Sequence, residues 1–335
     1  MHKFKRRIKL ILLFMMIICC IIIQFGTNVN ALSEKTRFVV LGGDSIGLRL
    51  ETDVYVTGKF EVITETGKVK PWINGNISVD DIIVSLNNQS IKNINDLREV
   101  INNCEEGYVS IKVKRKEQVI ESNILVVKNI KGENTIGLYV KDKVLGVGTL
   151  TYYDLKTKKF GALGHMAINQ EIVSGKITDS KITGIIKGER GQPGEKEAVI
   201  GKDEIGTISI NNRFGIFGTI NNKTLDNKYN LIEIANISDV KLGKAYITTV
   251  INENIKETFE IEIIEVNNQF YEDIKGIKFK VTDEKLLSKT GGIIQGMSGS
   301  PIVQDGKLIG AVSHVLINDS TIGYGVFAQW MINYS

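Results

Sequence analysis

The chain has 335 residues, a length typical of about two globular domains. Hydrophobic residues make up 42% of it and charged residues 24%, which excludes wholesale disorder and an architecture of many membrane spans. The formal net charge of +4 comes from 42 basic and 38 acidic residues, with several basic ones near the start, and this balance predicts no nucleic-acid partner.

The first segment has the features of an export signal. A group of basic residues precedes an uninterrupted apolar stretch over residues 10–23, and residues 29–31 fit a signal-peptidase site. This stretch is shorter than the roughly 20 residues of a spanning helix, which favours cleavage after Ala31, with retention as an anchor as the alternative. Residues 1–31 are therefore predicted to be a signal peptide or membrane anchor. Cys104 is the one cysteine outside this segment, so no intramolecular disulfide is possible in the exported part.

Residues 37–128 show short strand patterns, including an alternating strand over residues 109–114. They also contain one helix, predicted over residues 94–102 with Asn93 or Asn95 as its cap. The order of these elements resembles a PDZ domain, in which Ser45, Ile46, Gly47 and Leu48 would form the carboxylate-binding loop. The resemblance implies an open strand edge from Ile46 beside the helix, where peptide termini would bind. An ordinary small β-rich domain is the alternative.

Beyond a charged linker at residues 128–134, short β-type runs alternate with Gly, Asn and Asp. Glycines number 33 and prolines only 3, and this composition favours strands joined by turns over long helices. The pattern predicts a mainly β second domain over residues 135–335, built as a sandwich or barrel.

Two motifs in this half carry chemistry. The first is Phe160-Gly161-Ala162-Leu163-Gly164-His165, in which a histidine follows a glycine at the end of an apolar run. The second contains a serine. Gly296-Met297-Ser298-Gly299-Ser300-Pro301 has the Gly-x-Ser-Gly-x-Pro form found at the nucleophile of chymotrypsin-like serine proteases. Glycines there allow a tight turn, so the amides of Gly296 and Ser298 are predicted to form an oxyanion hole. The base is His165 or His314, because His2 lies in the signal. His314 lies in an apolar strand, which is more typical of a packed histidine.

The third member of a catalytic triad is not determined by spacing. Several acidic residues lie between the candidate base and nucleophile, namely Asp179, Asp203, Asp226, Asp239, Asp273 and Asp283. The sequence shows no cluster with metal-ligand spacing, so neither a metal nor a cofactor is predicted.

Several segments together resemble the stage IV sporulation protein B serine peptidases of spore-forming bacteria. They are residues 137–140, 148–154, 160–165, 187–188, 191–194 and 289–315. The resemblance implies a PDZ domain followed by a chymotrypsin-like double β-barrel, with His165 as base, Ser298 as nucleophile and Asp283 as orienting acid. It also implies self-cleavage and export across, or anchoring in, the forespore membrane.

The same resemblance implies a role in the space between forespore and mother cell. There the enzyme would cleave a membrane-associated regulator of an intramembrane protease that activates a sigma factor. The alternative is a peptide-binding PDZ adaptor whose protease-like domain is structural. The presence of both His165 and Ser298 favours the enzyme.

Overall fold

The computed structural model describes residues 37–168, 174–221, 231–267 and 271–335. The predicted signal or anchor at residues 1–31 and the candidate acid Asp226 lie outside these residues. In the described part of the chain, no helix is long and apolar enough to cross a membrane. Phe38–Ser335 form one compact unit, and this unit is described below.

The unit is built mainly of β-strands. They are β1 Phe38–Leu41, β2 Ser45–Lys59, β3 Val62–Thr64, β4 Gly67–Val69, β5 Ile82–Leu86, β6 Gln89–Ser90, β7 Gly107–Arg115, β8 Gln118–Lys128, β9 Asn134–Thr135, β10 Leu138–Tyr153, β11 Lys159–Ala162, β12 Gly175–Ile186, β13 Glu195–Asn212, β14 Gly215–Ile220, β15 Leu231–Ile234, β16 Gly243–Asn252, β17 Ile255–Val266, β18 Ile277–Val281, β19 Pro301–Gln304, β20 Lys307–Leu316 and β21 Asp319–Phe327. The helices are α1 Ile94–Asn103, α2 Glu284–Thr290 and α3 Ala328–Ile332, with a 3-10 turn at Ile237–Asp239.

Six strands close into a first antiparallel barrel, in the order β2, β10, β11, β14, β13, β12 and back to β2. Alternation within the strands explains the barrel interior. In β12, Ser180 and Ile182 are buried whereas Asp179 and Lys181 face outward. The interior is apolar and includes the fully buried ring of Phe160.

A second barrel closes in the order β16, β17, β18, β21, β20, β19 and back to β16. In β17, Phe259, Ile261 and Ile263 are buried, while Glu260 and Glu262 lie between them on the other face. Strand β1 pairs with β10 and β15, and β15 pairs in parallel with β20, so these short strands connect the two barrels. The predicted chymotrypsin-like double β-barrel is confirmed.

A small domain within this unit has its own apolar core, which extends from Val54 to Leu138 along the chain. Helix α1 matches the predicted helix, and the Asn93 side chain caps it by accepting from the Asp96 amide at 3.0 Å. The predicted strand at residues 109–114 is present as part of β7. These local predictions are correct because each follows from a pattern of apolar residues and a cap within a few positions.

A buried ion pair stabilises this small domain. The Asp81 carboxylate is fully buried and accepts from Arg115 Nε at 2.7 Å, Arg115 Nη2 at 2.8 Å and the Ser78 amide at 2.7 Å. Burial alone would raise the pKa of Asp81, but the hydrogen bonds from Arg115 and Ser78 outweigh it and lower the pKa. The carboxylate is therefore held ionised inside the domain.

The predicted boundaries of this domain, residues 37–128, differ from the observed ones. Strand β1 and the first half of β2 belong to the barrels, and the small-domain core begins only at Val54. At the other end the predicted linker forms a turn, in which the Asn129 amide donates to the Glu133 carbonyl at 2.9 Å. The chain then continues into β10, which also returns to the first barrel. The small domain is thus inserted between two strands of that barrel.

Candidate active site

The structure brings the two predicted catalytic motifs together. His165 follows β11 of the first barrel, and Ser298 lies on a turn between α2 and β19 of the second barrel. The His165 Nε2 atom is 2.8 Å from the Ser298 Oγ atom. This is the distance expected of a base and the nucleophile that it activates.

Tight backbone geometry fixes the turn that carries Ser298. Gly296 and Gly299 have φ values of +90° and +91°, in the region that favours glycine. A Cβ atom on Gly299 would lie 2.1 Å from the Thr149 carbonyl oxygen, so no other residue fits there. Strand β10 clamps the turn, since Thr149 Oγ1 donates to the Gly296 carbonyl at 2.9 Å and Thr151 Oγ1 to the Gly299 carbonyl at 2.7 Å.

Two amides of this turn have no backbone partner. The amides of Gln295, Met297, Gly299 and Ser300 all donate to backbone carbonyls. Those of Gly296 and Ser298 donate to none within residues 37–168, 174–221, 231–267 and 271–335. They are the two amides that the sequence predicts for an oxyanion hole, and each could donate a hydrogen bond to an incoming oxygen.

The protonation of His165 follows from its second hydrogen bond. Its Nδ1 atom lies 2.8 Å from the Met166 carbonyl oxygen, which can only accept, so Nδ1 carries the proton. The Nε2 atom is therefore the acceptor that faces the Ser298 hydroxyl. Burial lowers the pKa of His165, and the bond to Met166 raises it only in part. The ring is thus held neutral in the tautomer that a general base requires.

Asp283 does not contact His165 in this structure, contrary to the role that the family resemblance implied. It is the N-cap of α2, where its Oδ1 accepts from the Leu286 amide at 2.9 Å. The ring nitrogens of His165 are bonded to Met166 and Ser298 instead. Asp239 is the last residue of the 3-10 turn, where its Oδ2 accepts from the amide of the N-cap Asn236 at 3.4 Å and pairs with Lys307 at 3.4 Å. The Met166 carbonyl thus occupies the position at His165 Nδ1 where a catalytic triad has its orienting acid.

The model of one protein family matches residues 132–332, and its description is SpoIVB peptidase S55. The chain belongs to this family. The match covers more than half of the 335 residues and includes His165 and Ser298. The protein is therefore a peptidase, and the sequence-based identification of the family is confirmed.

Comparisons beyond the family are weaker. None of the curated proteins matches the sequence. Among solved structures, the inactive form of the protease Rv3671c is 12% identical with a TM-score of 0.33, covering 56% of this chain and 81% of that chain. Its active form, from M. tuberculosis, is 12% identical with a TM-score of 0.32, covering 57% and 72%. The double barrel described above rests on its own strand pairing.

Asn211 is a residue of this site that the sequence analysis missed. It lies at the end of β13, is 1% exposed, and holds the segment after His165 at two points. Its Oδ1 accepts from the Ala167 amide at 2.8 Å, and its Nδ2 donates to the Ile168 carbonyl at 2.9 Å. A single asparagine gives no signal in the sequence that it holds the backbone next to the catalytic histidine.

His314, the alternative base, lies beside His165 rather than against Ser298. The two rings are 5.5 Å apart, and the His314 Nδ1 atom is buried without a hydrogen-bond partner in the described residues. Burial lowers the pKa of His314, and the neighbouring His165 and Lys275 lower it further. The peptidase therefore has one histidine placed as the base and a second, neutral one next to it.

The predicted peptide-binding loop is wrong in its location. Ser45, Ile46, Gly47 and Leu48 begin β2, where β10 pairs with one edge and β12 with the other. Ile46 and Leu48 are buried in the barrel core, and a Cβ atom on Gly47 would lie 2.5 Å from Thr178 Oγ1. A strand that is paired on both edges offers no amides to a peptide terminus.

Proposed function

We propose that this peptidase is a serine endopeptidase that acts by acyl transfer. The observation that carries the proposal is the 2.8 Å contact between His165 Nε2 and Ser298 Oγ, with the proton of the ring on Nδ1. As Ser298 Oγ bonds to the substrate carbonyl carbon, its proton passes to Nε2. The Gly296 and Ser298 amides stabilise the negative charge on the carbonyl oxygen.

The second half of the reaction uses the same groups. The proton on Nε2 passes to the leaving amine, the peptide bond breaks, and the acyl group remains on Ser298. A water oxygen then bonds to the acyl carbon while a proton of the water passes to Nε2. The bond from the acyl carbon to Ser298 Oγ breaks, the proton on Nε2 returns to Ser298 Oγ, and the carboxylic acid product leaves. The Met166 carbonyl, bonded to Nδ1, stabilises the imidazolium in both halves.

Fluorophosphonate labelling tests this mechanism. The probe phosphorus bonds to an activated serine oxygen and fluoride leaves, so we expect the parent chain to be labelled and Ser298→Ala and His165→Ala to lose labelling to background. Ser300→Ala is the matched control, since Ser300 lies on the same turn and its Oγ makes no hydrogen bond in the described residues. Labelling of Ser298→Ala equal to the parent would overturn the assignment.

We also propose the biological role that the family suggests. The export signal predicted in residues 1–31 supports delivery across the forespore membrane, and the resemblance described in the sequence analysis supports a part in sporulation. There the enzyme would cut itself and a membrane-associated regulator of an intramembrane protease that controls a sigma factor. The test is expression of the full chain and its Ser298→Ala variant in a spore-forming host deleted for the gene. Self-cleavage and spore formation should both require Ser298.

A second proposed function is peptide binding by the small domain, at a different place from the predicted loop. Residues 138–144 of β10 pair with β2 on one edge, while no described strand pairs with the other edge. A groove of about 210 Å³ lies along that edge beside α1, lined by Ile94, Leu97 and Ile101 from the helix and by Ile136, Leu138 and Val140. This arrangement suits an extended apolar peptide that adds as a strand, as in PDZ domains.

Peptide binding is tested with a fluorescent library of peptides that have apolar carboxyl termini. Ile101→Lys places a charge in the groove and should abolish any binding shown by the parent. Glu99→Lys is the matched control, because Glu99 is on the same helix, is exposed and does not line the groove. Equal binding by both variants would contradict the groove assignment.

A further inference from the structure

A lysine is buried between the two barrels, next to the turn of Ser298. Lys196 lies on β13 and is 2% exposed. Its Nζ donates to the Oγ1 of Thr249 on β16 at 2.9 Å, and Thr249 is fully buried. Burying an ammonium with one neutral partner is costly, because it has three donors and a full charge. A buried lysine with so few partners calls for a functional explanation.

The side chain of Lys196 packs beside Gly296, whose amide is one of the two amides of the candidate oxyanion hole. A Cβ atom placed on Gly296 would lie 2.9 Å from Lys196 Cδ, 3.1 Å from its Cβ and 3.2 Å from its Cγ. The Lys196 amide also donates to the Gln295 carbonyl at 3.0 Å. The Nζ atom lies two bonds beyond this Cδ atom. Two interactions therefore hold the turn at Gly296. Thr149 donates a hydrogen bond to the Gly296 carbonyl, and the stem of Lys196 packs beside the Gly296 Cα atom.

The glycine-rich segment before Lys196 supports the same turn. The Gln295 amide donates to the Gly194 carbonyl at 2.8 Å, and the Gly188 amide to the Thr290 carbonyl at 2.9 Å. A Cβ atom on Gly194 would lie 2.4 Å from the Gly188 amide nitrogen, so the two glycines permit this close packing. Residues 188–196 therefore pack against residues 290–295, which precede the turn of Ser298.

We propose that Lys196 is a positioning residue of the active site, whose stem fixes Gly296 and whose ammonium, held by Thr249, places a positive charge beside the oxyanion hole. The inference rests on the serine-peptidase mechanism proposed above. A charge in a water-excluded interior acts strongly on negative charge that develops nearby, because little solvent screens it. The ammonium would favour the transition state over the neutral substrate carbonyl.

The surroundings of Lys196 make this charge sensitive to pH in the working range. Its contacts on the turn and on β16 are neutral, and its neighbours on β13, Glu195 and Glu197, are exposed on the other face of the strand. Burial alone lowers the pKa of Lys196 to about 7. The ammonium is therefore lost as the pH rises through about 7. The labelling rate of a serine that depends on this ammonium should therefore fall as the pH rises through about 7, which gives the rate profile an alkaline limb.

The test is the second-order rate constant of fluorophosphonate labelling from pH 5.5 to 9, measured on the full chain. Lys196→Met keeps the stem and removes the charge, so labelling at pH 6.5 should be about tenfold slower than in the parent, with the alkaline limb lost. Lys202→Met is the matched control on the same strand, with an exposed lysine, and should label like the parent. Thr249→Val removes the anchor without altering the lysine, and should shift the alkaline limb to lower pH.

The outcomes separate this inference from the mechanism on which it rests. An unlabelled parent chain would overturn the serine-peptidase mechanism, and the role of Lys196 with it. A labelled parent with Lys196→Met labelled at the same rate at pH 6.5 would overturn the role of Lys196 alone. If Lys196→Met does not fold, an unchanged pH profile in Thr249→Val would overturn it.

Discussion

Replacing Lys196 with methionine is expected to stabilise the fold while it slows the chemistry. Burial lowers the pKa of Lys196 from its ordinary value of 10.5 to about 7. At about 1.36 kcal/mol per pH unit, keeping this ammonium in the folded chain costs on the order of 5 kcal/mol below pH 7. Methionine removes that cost but leaves Thr249 Oγ1 without its donor, which costs about 1–3 kcal/mol. The net gain at pH 6.5 is therefore about 2–4 kcal/mol in the free energy of unfolding.

The gain should depend on pH with a definite sign. Between pH 7 and 10.5 the unfolded chain holds a proton on Lys196 that the folded chain has released. The stability of the parent chain therefore rises with pH across this window, whereas Lys196→Met has no such group. The cost is fully present below about pH 7 and is lost above 10.5. From pH 7 to 9 the advantage of the variant should shrink by about 2–3 kcal/mol.

Urea denaturation of the parent, Lys196→Met and Lys202→Met at pH 6.5 and pH 9 measures both quantities. Lys202→Met controls for the loss of a positive charge on the same strand at an exposed site. Two results would refute the reasoning: a Lys196→Met chain less stable than the parent at pH 6.5, or a stability difference that is the same at both pH values.

Three further outcomes are expected. Asp283→Asn should keep the helix cap and turn over within about threefold of the parent per folded molecule, whereas Asp283→Ala should cost about 1 kcal/mol of stability; a turnover loss near four orders of magnitude in Asp283→Asn would restore it as the orienting acid. Because burial lowers the pKa of His165, the acid limb of the labelling rate should have its midpoint below pH 6.5, and a midpoint above 6.5 would contradict the neutral ring. Arg115→Ala should lower the urea midpoint, since it leaves the buried Asp81 carboxylate without its partner, and an exposed-pair control such as Lys112→Ala should not.

The individual strands, helix α1 and the turn that carries Ser298 follow from short-range patterns in the sequence. Alternating apolar residues indicate individual strands, and the glycines of the Gly-x-Ser-Gly-x-Pro motif favour a tight turn. These features depend on neighbours within a few positions, so a single sequence contains the information that predicts them.

The incorrect predictions concern features that depend on contacts between residues far apart in the chain. The strand that begins at Ser45 has the same local pattern in a barrel wall as in a peptide-binding loop. What places it in the barrel is its pairing with Gly148 of β10 and Asp179 of β12, each about a hundred or more positions away. The sequence spacing likewise does not identify Asn211 as a residue of the active site. The alternation of Glu195, Lys196 and Glu197 does not show which face of β13 is buried.

The insertion of the small domain between β2 and β10 has a consequence for how the chain can be divided. A truncated chain beginning at residue 132, where the family match starts, would lack β2 and leave β10 and β12 with unpaired edges. Such edges invite association with other chains. Cutting out residues 54–137 is equally disruptive unless the ends of β2 and β10 are rejoined by a hairpin turn. The small domain can therefore be exchanged only as a replacement of the connection between β2 and β10, and not as an independent domain joined by terminal linkers.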